Sequence, residues 1–129
     1  MTLKKLNQEI AATYGSIVST IEELLLFMNE LGGERREINE NAKQIVRFLR
    51  KFKTSVESEE SIAQMTPRKN ESLLISLKEL LEAITDLQTM VQLALKGNRE
   101  ARVIRGINVS HKLILKELDE QKRMITKAA

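Results

Sequence analysis

The chain has 129 residues and a net charge of +3; it is 42% hydrophobic and 30% charged, with one proline, no tryptophan and no cysteine. That balance excludes a disordered chain, and the absence of cysteine excludes a disulfide framework, thiol catalysis and thiolate metal sites. Only 3% of the residues are aromatic, which fits long helices better than a sheet sandwich.

The length suits one domain spanning residues 1–129, with a core that needs no metal or cross-link. Apolar spacing organises it. Leu3, Leu6, Ile10, Tyr14, Ile17, Ile21, Leu24, Met28 and Leu31 follow one another at steps of three and four, the signature of one stripe along a helix over about 2–31. Gly32-Gly33 is the expected stop. Within IEELLLFMNELGG, Leu24 and Met28 fall on the stripe and Leu25 and Phe27 flank it, whereas Leu26 points away among polar neighbours. Leu26 is therefore a candidate for self-association.

The second stripe runs Ile38, Ala42, Ile45, Leu49, Phe52, Val56, giving a helix over about 34–57. The following SVESEES reads as a loop or frayed end. Thr66-Pro67 reads as an N-cap followed by proline at the first helical position. That predicts a third helix over about 67–96, with Leu74, Leu77, Leu81, Ile84, Leu87, Val91 and Leu95 inward and a glycine stop at Gly97. A fourth, over about 99–127, carries Ile104, Ile107, His111, Ile114, Leu118, Gln121 and Ile125. Residues 1–33, 34–57, 58–97 and 98–129 carry net charges of −2, +3, −2 and +4, which favours antiparallel neighbours. The expectation is an all-α, up-down-up-down four-helix bundle. The alternative is a three-helix core with one helix swapped or self-paired in a dimer.

Catalytic chemistry is hard to assemble from these residues. One histidine and no cysteine give no triad or histidine metal cluster, and no glycine-rich loop precedes a helix to cradle phosphate. Glu22/Glu23, Glu59/Glu60 and Glu79, Glu82 and Asp86 sit off the apolar stripes and read as solvated faces. The chain is thus expected to be non-catalytic, without cofactor or metal. No apolar run approaches the roughly 20 residues of a membrane span, and MTLKKLNQEI lacks the features of a secretory signal. A cytoplasmic location is expected.

The string Asn108-Val109-Ser110-His111-Lys112-Leu113 resembles the start of the phosphoacceptor box of sensor histidine kinases, and a four-helix domain of this length is similar to histidine phosphotransfer domains. The resemblance implies that His111 carries a phosphoryl group, screened by Lys112 or Lys116. Where the kinase box has an acidic residue after the histidine and a proline further on, this chain has Lys112 and Lys116. The register of His111 with Ile107, Ile114 and Leu118 favours a core histidine satisfied by a hydrogen bond.

The outward face of the fourth helix is the preferred site. Arg102, Arg105, Lys112 and Lys116 form a band that also holds Val109 and Leu113. Cations around aliphatics suit a protein partner with an acidic, partly apolar surface. No aromatic interleaves them for base stacking, and the face has no Trp or Phe for a membrane surface, so nucleic acid and membrane are the weaker readings. The functional expectation is an adaptor, chaperone-like or regulatory interaction module, with phosphotransfer or a self-associating homodimer as alternatives.

Overall fold

The computed structural model describes residues 2–29 and 34–128. It forms five helices: α1 (Leu3–Gly15), α2 (Val18–Asn29), α3 (Arg35–Ala63), α4 (Glu71–Leu95) and α5 (Ala101–Ala128). Among the described residues there is no strand. Helices α1 and α2 are two halves of one leg, interrupted at Ser16–Ile17. There the amides of Ser16 and Ile17 donate to the carbonyls of Thr13 and Tyr14, three residues back, and the four-residue pattern resumes at Ile21. A Gly-Ser pair is a common cause of such tightening. The expected Leu31 and the Gly32-Gly33 stop lie outside the described residues.

Four legs therefore form the bundle anticipated from the stripes. The first packs on α3 and α5, α3 packs on α4, and α4 packs on α5, which closes a ring. Asn7, near the start of the first leg, bonds to Glu59 near the end of α3 and to Gln121 near the end of α5, so successive legs run antiparallel. Within the chain α5 returns onto the first leg and α4, so all four legs share one core.

The core is the union of the stripes. Ile21, Leu24, Ile45, Leu49, Leu77, Leu80, Ile84, Leu87, Ile107 and Ile114 are fully buried. Truncating any one of the leucines to alanine removes about 2–5 kcal/mol. Three of the four aromatics cluster at mid-height: Tyr14 lies 5.2 Å from Phe52 and 6.2 Å from Phe48 between ring centroids, and Phe48 stacks on Phe52 at 5.5 Å. Leu24 and Met28 are buried, Leu25 and Phe27 are half-buried and Leu26 is exposed, as the 100° spacing predicts.

Two boundaries differ from expectation. SVESEES is helical, and α3 continues to Ala63 because Val56, Glu59 and Ala63 extend the same buried face. The sequence pattern is masked by a carboxylate occupying one core position. Nor does α4 start at Thr66-Pro67. Residues 64–70 form turns, and the Asn70 side-chain amide donates to the Ala63 carbonyl at 3.1 Å and to Thr66 Oγ1 at 2.9 Å. The Thr66 hydroxyl is thereby drawn toward Asn70, and the helix begins at Glu71. On α4, Leu73, Leu80 and Ala94 are buried, while Leu74, Leu81 and Leu95 are only partly so, a slight rotation of the expected stripe.

The α4 stop is as expected. Gly97 adopts φ +96°, its amide donates to the Ala94 carbonyl at 3.0 Å and the Asn98 amide donates to the Leu93 carbonyl at 2.9 Å, a Schellman motif.

The first leg, Leu3–Asn29, is by length and composition apolar enough to cross a membrane, which corrects the expectation that no such segment exists. A core helix meets the same test, and here Ile10, Tyr14, Ile17, Ile21, Leu24 and Met28 are buried against the bundle.

Candidate functional site

Helix α5 carries the predicted face. Its buried side is set by Val103, Ile107, Ile114 and Leu118, which leaves Arg102, Arg105, Val109, Lys112, Leu113 and Lys116 exposed on the other. Val109 is 56% exposed and Leu113 41%. Two of the cations have partners on their own side of the helix: Arg102 pairs with Glu100 at 2.7 Å and Lys116 with Glu120 at 3.9 Å. Arg105 and Lys112 form no ion pair among the described residues.

The structure adds a neighbour that periodicity within one helix cannot reveal. Leu113 overhangs a groove of about 300 Å³ between α5 and α4, whose other walls include Glu79, Glu82 and Asp86. The basic band thus borders an acidic one.

Leu26 lies on α2, 56% exposed. His111 is 4% exposed. Its Nδ1 is 2.7 Å from the Tyr14 hydroxyl and its ring lies 5.7 Å from the Tyr14 ring. Burial holds the imidazole below its ordinary pKa, a trend partly opposed by Glu22 and reinforced by Lys112. Burial also holds the Tyr14 phenol well above its usual range, so it keeps its proton. In this arrangement His111 joins the first leg to the last as a neutral core residue.

Sequence reasoning missed a buried polar layer spanning all four legs. Asn7 Nδ2 donates to Glu59 Oε2 at 3.1 Å and to Gln121 Oε1 at 3.0 Å. Gln121 Nε2 donates to Ser76 Oγ at 3.1 Å, and Ser76 Oγ donates to Glu117 Oε2 at 2.6 Å. All five side chains are buried, Glu59 completely. This corrects the placement of Glu59 on a solvated face. Every donor in the chain points outward from Asn7, so the layer ends in two carboxylates that act as acceptors. Burial pushes the Glu59 carboxyl up to about 7, against the opposing effect of the Asn7 hydrogen bond. The available signal was periodicity: Glu59 falls three residues after Val56 and four before Ala63.

A cleft of about 470 Å³ sits near that end, where Arg68 and Lys69 of the α3–α4 turn approach Leu73, Met124 and Ile125. Among the described residues no group of three or more histidine or acidic side chains converges as a metal site would require. The molecule is thus defined as a helical bundle with an interior polar layer and one amphoteric outer face. No family model, curated protein or solved structure matches the chain.

Proposed function

We propose that this chain is a non-catalytic, cytoplasmic interaction module that works by binding another protein chain through the outer face of α5. The observation that carries the reading is the exposure of Val109 and Leu113 amid a row of cations, of which Arg105 and Lys112 have no ion-pair partner among the described residues. Aliphatics supply the desolvated centre and the cations supply orientation and encounter rate. The spacing of Arg102, Arg105, Val109, Lys112 and Lys116 alternates three and four, a seam onto which another helix can lie. The partner this face suits is acidic and partly apolar.

The test is Leu113→Glu. The variant keeps the helical circular dichroism and loses capture of the partner from a lysate at low salt, with nuclease treatment leaving wild-type capture unchanged. Capture that survives the substitution rejects α5 as the site. Phosphotransfer is not the reading advanced, because His111 is covered and hydrogen-bonded to Tyr14.

A further inference from the structure

We propose that the surface covering the α5 face is the α4 face of a second copy of this chain, in a twofold dimer whose axis runs parallel to the bundle. The inference rests on the α5 binding reading and names its partner.

The chemistry that the α5 face calls for, acidic and partly apolar, is displayed on the adjacent helix. Ile75, Glu79, Glu82 and Asp86 follow one another along α4 at steps of four, three and four. All four are exposed, Ile75 by 58%. The α4 acids share one groove with Leu113 and Glu117 of α5, and Leu113 is the member of the basic band that reaches it. Within one chain they do not neutralise each other: among the described residues none of Glu79, Glu82 and Asp86 pairs with a cation, and neither Arg105 nor Lys112 pairs with an acid.

The levels also match. Ser76 bonds to Glu117, and a Cβ on Gly106 would fall 2.8 Å from Met90 Cγ. The α4 segment from Glu79 to Asp86 therefore lies between these two ties, level with the α5 segment around Val109 to Lys116. A twofold axis parallel to the helices preserves level and exchanges sides, so each α4 meets the partner's α5. Acids then oppose Lys112 and Lys116 twice, and Leu113 approaches its own symmetry mate near the axis. Such an isologous contact closes on itself. Two helices of about 25 residues side by side present a face of roughly 37 by 20 Å, close to the ~800 Å² per partner of a standard interface. A monomeric adaptor needs only the basic band; self-pairing accounts for both bands and for their common level.

The experiment is light scattering and sedimentation equilibrium of the purified chain at low salt, with two charge-reversed variants. Glu79→Lys/Glu82→Lys makes the face basic, and Lys112→Glu/Lys116→Glu makes it acidic. The wild type is expected at twice 14.7 kDa. Each variant alone is expected at the monomer mass with unchanged helical circular dichroism, and their equimolar mixture is expected to recover the dimer. Recovery also shows that both variants remain folded. A monomeric wild type, a dimer that persists in both variants, or a mixture that stays monomeric overturns the proposal. A monomeric wild type whose capture of a different protein is abolished by Leu113→Glu overturns the second-copy inference alone and leaves the α5 reading standing.

Discussion

The Tyr14 hydroxyl lies 2.7 Å from His111 Nδ1, both side chains buried, and this contact ties the first leg to the last across 97 positions of sequence. Tyr14→Phe preserves the ring packing against Phe52 and removes only the hydroxyl. It strands the imidazole nitrogen in a dry site, so the expected loss is about 1–3 kcal/mol. Urea unfolding followed by circular dichroism measures it. A loss below about 0.5 kcal/mol would show that the imidazole finds another partner.

Glu59 makes stability depend on pH. Its folded pKa of about 7 lies above the ordinary 4.5, so the folded state holds this proton more tightly than the unfolded state does. The contribution is fully present below 4.5 and is lost as pH rises through about 7. His111, held below 6.5, acts oppositely: its contribution is present above 6.5 and is lost on acidification. Glu59→Gln keeps the shape and an acceptor oxygen for Asn7 without the charge. It is expected to stabilise the protein at pH 8 by an amount on the order of a few kcal/mol and to have little effect near pH 4.5. Denaturant midpoints at the two pH values decide it, and equal effects at both would remove Glu59 from the pH response.

Asn7 is the first donor of the polar layer, giving one amide hydrogen to Glu59 and the other to Gln121. Asn7→Leu leaves both acceptors buried and unmatched, at a cost of about 2–4 kcal/mol. Because the Asn7 hydrogen bond favours the charged form of Glu59, the loss is expected to be larger at pH 8 than at pH 5. A pH-independent loss would assign the effect to packing alone.

Two glycines separate backbone need from habit. Gly97 has φ +96° and a Cβ there would lie 3.4 Å from the Arg35 guanidinium, so Gly97→Ala is expected to cost about 1–2 kcal/mol. Around Gly15 a Cβ meets nothing within 4 Å. Gly15→Ala is expected to stabilise by about 0.5–1 kcal/mol through helix propensity. Thermal unfolding of the two variants should therefore shift in opposite directions, and a lower melting temperature for Gly15→Ala would show that the Ser16–Ile17 interruption depends on the glycine.

The helical legs and their inward faces are legible in the chain because an apolar residue every three or four positions has one efficient use, burial along a helix. Leu24, Met28, Ile45, Leu87 and Ile114 illustrate this, and so does the exposure of Leu26, Val109 and Leu113. The Gly97 stop is legible for the same reason: its cause is local backbone sterics. Boundaries at Ala63 and Glu71 were less so, since Glu59 hides a core position behind a charge and Thr66 is engaged by a side chain four residues away.

Pattern and composition alone thus determined the fold class, the stripes and the exposed basic face of α5, all of which depend on spacing within one helix. Tertiary structure alone decided the partners: that Glu59 meets Asn7, that Ser76 reaches Glu117, that Tyr14 holds His111, and that the α4 acids border Leu113. Polar burial is tolerated only where a donor or acceptor from another leg arrives within hydrogen-bonding distance, and whether one arrives depends on the level and rotation at which distant segments pack.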